Sequence, residues 1–317
     1  MRVFVTGATG VIGRRAIPLL LRAGHRVTAA VRSPDRVHVL ERLGASALAL
    51  DLFDADAVRL AMVGHDTVIN LATHVPSGTL RQFVPGAWKE MDCIRKEGSA
   101  LLADAAIAAG ARRFVQESFA PIYPDCGDRW IREDTPPEPA RYNRTVLFAE
   151  ASAERFARSD RIGIALRFAF LYGSEDRFTN NVFRYVRHGW LPILGRPEGF
   201  YSMVNHEDAA SAVVAALDAP SGIYNVVDDE PLTRHEFGDA LAEMLNVRSP
   251  RLPPVWLVTF TGGLGETIAR SLRISNSKLK KETDWTPQYP TARTGWLAAL
   301  RARTHPEAER PARTVRS

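Results

Sequence analysis

The stretch Arg2-Val3-Phe4-Val5-Thr6-Gly7-Ala8-Thr9-Gly10-Val11-Ile12-Gly13 decides the fold. A short apolar strand runs into three glycines spaced three apart, and a helical pattern follows at once. Gly7 permits a tight turn, Gly10 lets the backbone approach a pyrophosphate, and Gly13 lets the next helix sit close on the sheet. The free N–H groups of that helix start favour a phosphate. The expected nucleotide contacts are Gly7, Thr9, Gly10, Val11, Ile12 and Gly13. The alternative is a glycine turn with only a structural role.

Outward from this turn, apolar strands alternate with amphipathic helices. Strands are predicted at Arg2–Thr6, Arg26–Val31, Ala47–Asp51, Thr67–Ala72, Arg112–Glu117, Ile162–Phe168 and Gly222–Val227. Helices are predicted at Val11–Ala23, Val37–Leu43, Asp54–Met62, Lys96–Ala109, about Asn143–Ser159 and His206–Ala219. Near-continuous apolar strands imply a parallel sheet covered on both faces, with right-handed crossovers. The predicted fold is α/β, a Rossmann-type doubly wound parallel sheet with a smaller, mainly C-terminal substrate-binding region. Residues 1–173 with 204–227 form the nucleotide-binding part. Residues 174–203 and 228–300 form the substrate-binding region, and 301–317 a flexible tail.

The chain of 317 residues is 45% hydrophobic, enough for one large domain or a large and a small one. No apolar run reaches the roughly 18 residues that span a membrane. The strand pattern starting at Arg2 leaves no room for a signal peptide. Cys93 and Cys126 are the only cysteines, which suits two thiols in a reducing cytoplasm better than a disulfide scaffold. The net charge of +5 owes much to Arg301, Arg303, Arg310, Arg313 and Arg316 near the end. Scattered arginines without a concentrated patch argue against nucleic-acid binding. No residue spacing suggests a metal cage, and Asp228-Asp229-Glu230 reads as an acidic loop.

The tip of the second strand, Ala29-Ala30-Val31-Arg32-Ser33, carries no acid to hold a ribose 2′-hydroxyl. Arg32 is suited to a 2′-phosphate, so NADP(H) is preferred, with NAD(H) retained and a merely solvated Arg32 as the alternative. Asp51-Leu52 follows the third strand, where the carboxylate can accept from an adenine amino group. The alternative is a helix-start role, with Asp54 as the cap. Leu71, Ala72, Thr73 and His74 end the fourth strand at the crevice where such sheets bind ligands. His74 is also a candidate acid/base group. The two alternatives for it are catalysis and a satisfied loop histidine.

With these pieces the chain resembles an extended short-chain dehydrogenase/reductase of the NAD-dependent epimerase/dehydratase group. The resemblance rests on Thr6–Gly13, Asp51-Leu52, Asn70-Leu71-Ala72, Gly98-Ser99-Ala100-Leu101-Leu102 and Arg113–Ser118. Tyr142 with Glu150, Leu166-Arg167-Phe168, Tyr172-Gly173, His206-Glu207-Asp208, Tyr224-Asn225-Val226 and Ser277-Lys278-Leu279 extend it over about residues 1–298. It implies a catalytic Ser, Tyr and Lys over the nicotinamide, and a homodimer built on the helices near 96–109 and 143–159. The tyrosine falls on Tyr142, which also lies against the cofactor, but the lysine position is Val146 and the serine position is Phe119. Ser118 matches the family's other serine and is a candidate for orienting Tyr142 or a ligand. A phenol without a neighbouring cation is a weak base near neutral pH but still a donor. Arg144, Arg141 and Arg95 are candidate replacement cations, and Arg95 or Asp92 is a candidate for the pocket wall.

The resemblance also implies a substrate-clamping arginine where Tyr201 stands, and a second one at Arg273. With half the clamp missing, Phe119, Tyr123, Phe168, Phe170, Phe178, Tyr201 and Arg273 are the expected substrate contacts. Phe183 and Trp190 crowd the same region. Two or three aromatics facing the cleft favour a hydrophobic or aromatic metabolite over a nucleotide sugar. His206 reads as a structural cap, and Asp125 and Cys126 as loop residues near the substrate. The leading function is an NADP(H)-dependent biosynthetic oxidoreductase acting on a carbonyl or enone. The alternatives are a cofactor-assisted epimerase, isomerase, cyclase or dehydratase, and a non-catalytic NAD(P)-binding regulatory protein.

Overall fold

The computed structural model describes residues 1–76, 82, 84 and 86–304. Seven parallel strands form its main sheet in the order Gly222–Val226, Ile162–Phe168, Arg113–Phe119, Thr67–Asn70, Arg2–Thr6, Arg26–Val31, Ser46–Ala49. Helices Gly13–Arg22, Ala55–Met62, Ser99–Ala108, Val146–Phe156 and His206–Ala215 are among its crossovers. Two apolar clusters, one containing Val5, Ile17 and Val213 and the other Val68, Leu102 and Phe114, form the core of this layered arrangement. This is the Rossmann-type doubly wound sheet expected from the strand and helix rhythm.

The strand order reverses at Arg2–Thr6, which has Arg26–Val31 on one side and Thr67–Asn70 on the other. A crevice opens at such a reversal, beyond the carboxyl ends of the strands. The buried side chain of Asn70 secures this point. Its Oδ1 accepts from Thr6 Oγ1 at 2.6 Å and from the Ala72 N–H at 3.2 Å, and its Nδ2 donates to Gln116 Oε1 at 2.8 Å.

Several boundaries differ from the sequence expectation. The helix expected over 96–109 begins as a π-helical turn at Ile94–Gly98 and becomes α-helical at Ser99–Ala108. The wider turn rotates Arg95 inward, where it is buried. The helix expected over 143–159 spans only Val146–Phe156; Tyr142 and Asn143 lie in the preceding turn. The segment 174–203, for which no helix is assigned from the sequence, contains the helix Arg177–Arg187, capped by Asp176. The expected tail is helical at its start: Ala292–Thr304 includes Arg301 and Arg303, and Arg303 lies over the Phe183 ring. Residues 305–317 lie outside the described residues.

The smaller C-terminal region packs Arg234–Leu245 and Ala292–Thr304 around a third apolar cluster with Trp296 at its centre. Short strand pairs tie it to the large sheet's loops: Phe170–Tyr172 with Met203–Asn205, and Trp130–Ile131 with Arg273–Ile274. Among the described residues no helix is long and apolar enough to cross a membrane.

A buried ion pair braces the second half of the sheet. Arg167 Nε and Nη2 donate to the two Glu150 carboxylate oxygens at 2.7 and 2.8 Å, and Nη1 donates to Tyr123 Oη at 2.7 Å. Removing one partner strands a charge in the interior, which costs about 3–5 kcal/mol. Arg167→Met is therefore expected to lower stability by about that amount in urea unfolding, whereas a loss under about 1 kcal/mol would deny the pair this role.

Candidate functional site

The glycine turn is enforced by lack of space. Gly7 has φ +67, and a Cβ there would lie 2.1 Å from the Leu71 carbonyl oxygen. A Cβ on Gly13 would lie 2.4 Å from the Gly7 oxygen. The first helix is thereby drawn against the strand ends, and backbone N–H groups line a concave turn. A cleft of about 520 Å³ opens beside it. Its lining includes Thr6, Gly7, Thr9, Gly10, Asp51, Leu52, Leu71, Ala72 and Thr73, together with Arg32, Ser33, Asp35, Arg36, His74, Glu90 and Ile94. This cradle, which side chains at the glycines would fill, fits an extended dinucleotide.

Most of the residues expected at the nucleotide come together here. Val11, Ile12 and Gly13 are placed differently: Val11 faces solvent, Ile12 joins the core, and Gly13 serves the helix–turn contact. None of the three lines the cleft with a side chain. Asp51 lines the cleft and also accepts from the Phe53 N–H at 2.9 Å. Asp54 caps the next helix by accepting from the Asp56 and Ala57 N–H groups, as the helix-start reading expected. Arg32 is exposed on the cleft rim and pairs with Glu90. Arg36 is a second lining arginine that the sequence reading passed over, although it stands only four residues beyond Arg32.

Tyr142 sits at the junction with the C-terminal region. Its ring is 4.9 Å from that of Trp88. Helix Gly262–Ala269 covers it closely enough that a Cβ on Gly263 would lie 3.3 Å from Ala140 Cβ and 3.9 Å from Tyr142 Cδ1. Burial pushes the phenol up to about 12, against opposing hydrogen bonds from Thr267 and Asn143 and the fields of Arg95 and Arg270. Of the three sequence candidates for a replacement cation, Arg95 is the one whose field reaches Tyr142. It lies 3.8 Å from Glu117, whose carboxyl is raised chiefly by burial. Thr267, Arg270 and Trp88 were not legible as site residues, because they reach Tyr142 from distant parts of the chain, and Glu117 comes near only through Arg95.

The covering helix is held at its C-terminal end. Arg234 is buried and donates to the carbonyls of Leu194, Ile268 and Arg270. Arg270 in turn donates to the carbonyls of Tyr123 and Glu138 at 2.8 and 2.6 Å. These bonds join the covering helix to the loop leading to Tyr142.

Other expected catalytic and substrate residues lie elsewhere. Ser118 is fully buried and donates to Glu150 Oε1 at 2.5 Å; strand alternation turns it to the face opposite Glu117. His74 faces Glu90 on the nucleotide cleft, with Nδ1 3.3 Å from the carboxylate, instead of joining the groups around Tyr142. Tyr123 is fully buried, donates to Asn225 Oδ1 at 2.9 Å, and braces Arg167. Phe168 belongs to the sheet core, and Phe178 and Phe183 pack edge-on against Trp296. His206 is buried, held neutral by burial and the nearby Arg15 and Arg14, and its pKa falls to about 3. Asn205 provides the cap of that helix. Arg273 is stacked between Trp130 and Phe200 and donates to the Asp128 carbonyl.

A connected aromatic group remains. Phe119 meets Phe170 edge-on at 5.9 Å, and Phe170 stacks on Tyr201 at 4.5 Å. Among the described residues no group of three or more His, Cys, Asp or Glu side chains is placed to hold a metal ion.

Comparison with known proteins agrees with this architecture. A model of the NAD(P)H-binding family matches residues 7–170. A 3-diazoavenalumate denitrifying reductase from a Streptomyces species is 32% identical over 306 residues, covering 93% of this chain and 99% of the relative. A 2-alkyl-3-oxoalkanoate reductase from Shewanella oneidensis is 28% identical over 277 residues, covering 80% of this chain and 67% of the relative. The crystal structure of human epimerase family protein SDR39U1 with NADPH superposes with a TM-score of 0.80 at 22% identity, covering 95% of this chain and 99% of the other. At that identity the likeness concerns the fold.

Two measurements check the site. Gly7→Ala is expected to eliminate detectable dinucleotide binding in calorimetry while the protein still folds, since the added methyl enters the Leu71 carbonyl; unchanged affinity would refute the cradle. Because the Tyr142 phenol is pushed up to about 12, it stays neutral through about pH 9. A phenolate absorbance difference against Tyr142→Phe below that pH would contradict the environment described.

Proposed function

The chain belongs to the NAD(P)H-binding family, within the extended short-chain dehydrogenase/reductase and epimerase/dehydratase superfamily, and from that premise we propose that it is an NADP(H)-dependent reductase of a hydrophobic or aromatic small molecule. One observation carries the reading: Val146 stands where the resemblance implies lysine, and Trp88 and the helix Gly262–Ala269 bury the Tyr142 phenol, which pushes its pKa up. A neutral phenol can still donate a hydrogen bond, and can give its proton to an alkoxide, which is a far stronger base, but it removes a proton poorly near neutral pH. Reduction of a carbonyl calls for donation, and oxidation of an alcohol calls for the reverse.

In this reading Gly7, Thr9, Gly10 and the N–H groups of Val11, Ile12 and Gly13 receive the pyrophosphate. Asp51 takes the adenine amino group, and Leu52, Leu71, Ala72 and Thr73 hold the dinucleotide along the cleft. Arg32 with Ser33 and Arg36 favours a 2′-phosphate. When bound, the nicotinamide supplies the hydride. Tyr142 places its O–H toward the acceptor, and Phe119 and Phe170 provide apolar walls, with Tyr201 buried behind Phe170 in the C-terminal core. The covering helix Gly262–Ala269 limits water around Tyr142, which keeps its hydrogen bond strong.

The Streptomyces relative's name describes reduction of a diazo compound with loss of nitrogen. That chemistry widens the class of acceptor considered for this chain. Hydride arriving at a diazonium carbon leaves a C–H bond and dinitrogen, and no alkoxide needs a proton. Such an acceptor places no demand on a lysine-activated tyrosine. Aromatic ketones, enones and diazo compounds are therefore the proposed acceptors.

The test follows NADPH consumption with these acceptors and with nucleotide sugars. Consumption matching product formation is expected with at least one of the aromatic classes. Tyr142→Phe is expected to slow carbonyl reduction about 100-fold and to spare diazo reduction. Conversion of a nucleotide sugar without net NADPH consumption, or cofactor binding with no turnover of any class, would overturn the proposal.

A further inference from the structure

The rim of the nucleotide cleft contains an ion pair that spans its two walls. Arg32 stands just beyond the strand Arg26–Val31, and Glu90 lies in the helix Lys89–Cys93 across the cleft. The two side chains pair directly, and both line the same opening. Glu90 Oε1 also lies 3.3 Å from His74 Nδ1. Ile94, four residues beyond Glu90, lines the cleft as well, so one helical face presents both residues to it.

The charges of the lining are mixed. Arg32 and Arg36 are opposed by Asp35, Asp51 and Glu90. Asp35 is engaged by Ser33, and Asp51 by the Phe53 N–H. Glu90 is the carboxylate that holds the Arg32 guanidinium. A phosphate dianion and this carboxylate require the same donors, and their charges repel.

We propose that Glu90 sets the cofactor selectivity of the cleft by competing with the 2′-phosphate for Arg32. The inference rests on the reading above that the cleft takes NADP(H). An unphosphorylated ribose has no group that gains from releasing Arg32, so Glu90 weakens one cofactor and leaves the other. Selectivity in this chain is then a balance between a guanidinium and its own internal counter-ion.

The experiment titrates the full chain with NADPH and NADH separately, following cofactor fluorescence. Glu90→Gln is expected to tighten NADPH about threefold to tenfold while NADH changes by less than about twofold. The gain should shrink at high salt, because the pair is at the surface. Glu90→Asp keeps the charge and should not reproduce it. Equal changes for both cofactors, no change, or weaker NADPH binding would overturn the inference. Arg32→Ala separates it from its premise. Lost NADPH affinity there, with no gain in Glu90→Gln, removes only the inference. Unchanged NADPH affinity in Arg32→Ala removes the NADP(H) reading and the inference together. Melting curves of each variant confirm that the fold is intact.

Discussion

The contact between Gly7 and the Leu71 carbonyl governs the arrangement of the nucleotide half. No side chain fits there, and the glycine's positive φ turns the chain from the first strand into the first helix. Asn70 secures the adjacent strand end by joining Thr6, Gln116 and the Ala72 N–H. Together they keep the crevice open at the reversal of strand order. The cleft thus follows from one excluded Cβ and one buried carboxamide, and the loops around it inherit their positions.

Tyr142 is governed by a different constraint. Its surroundings come from the turn before Val146–Phe156, the π-helical turn with Arg95, and the covering helix with Thr267. Burial dominates over the two nearby arginines, so the phenol remains an acid that holds its proton. The inward turn of Arg95 brings a cation toward the tyrosine from another element, yet its closest charged partner is Glu117. This arrangement differs in physical effect from a lysine one helical turn away.

The sheet was legible because apolar runs bounded by glycine and charge recur along the first half. Ile162–Phe168 was located to the residue, and Gly7, Gly10 and Gly13 were read with their reasons. The active-site half was less legible. Ser118 and Tyr123 carry hydroxyls of the right kind, but strand alternation and the Arg167–Glu150 pair take them into the interior. Buried Phe168 could not be separated from half-buried Phe119 and Phe170 by composition alone, since aromatics serve both a core and its margin. Thr267, Arg270 and Glu90 act across the fold, and no local spacing announces them.

Arg234 and Arg270 join the covering helix to carbonyls drawn from residues 123, 138, 194, 268 and 270. The consequence concerns how such a chain can be recombined. A graft of its first 170 residues onto another C-terminal half would carry over the glycine turn but not the helix His206–Ala215 that packs on the helix after it. It would also leave behind Thr267 and Arg270, which act on Tyr142 from the C-terminal region. The turn is local to one stretch of chain, whereas the surroundings of Tyr142 are assembled from both halves.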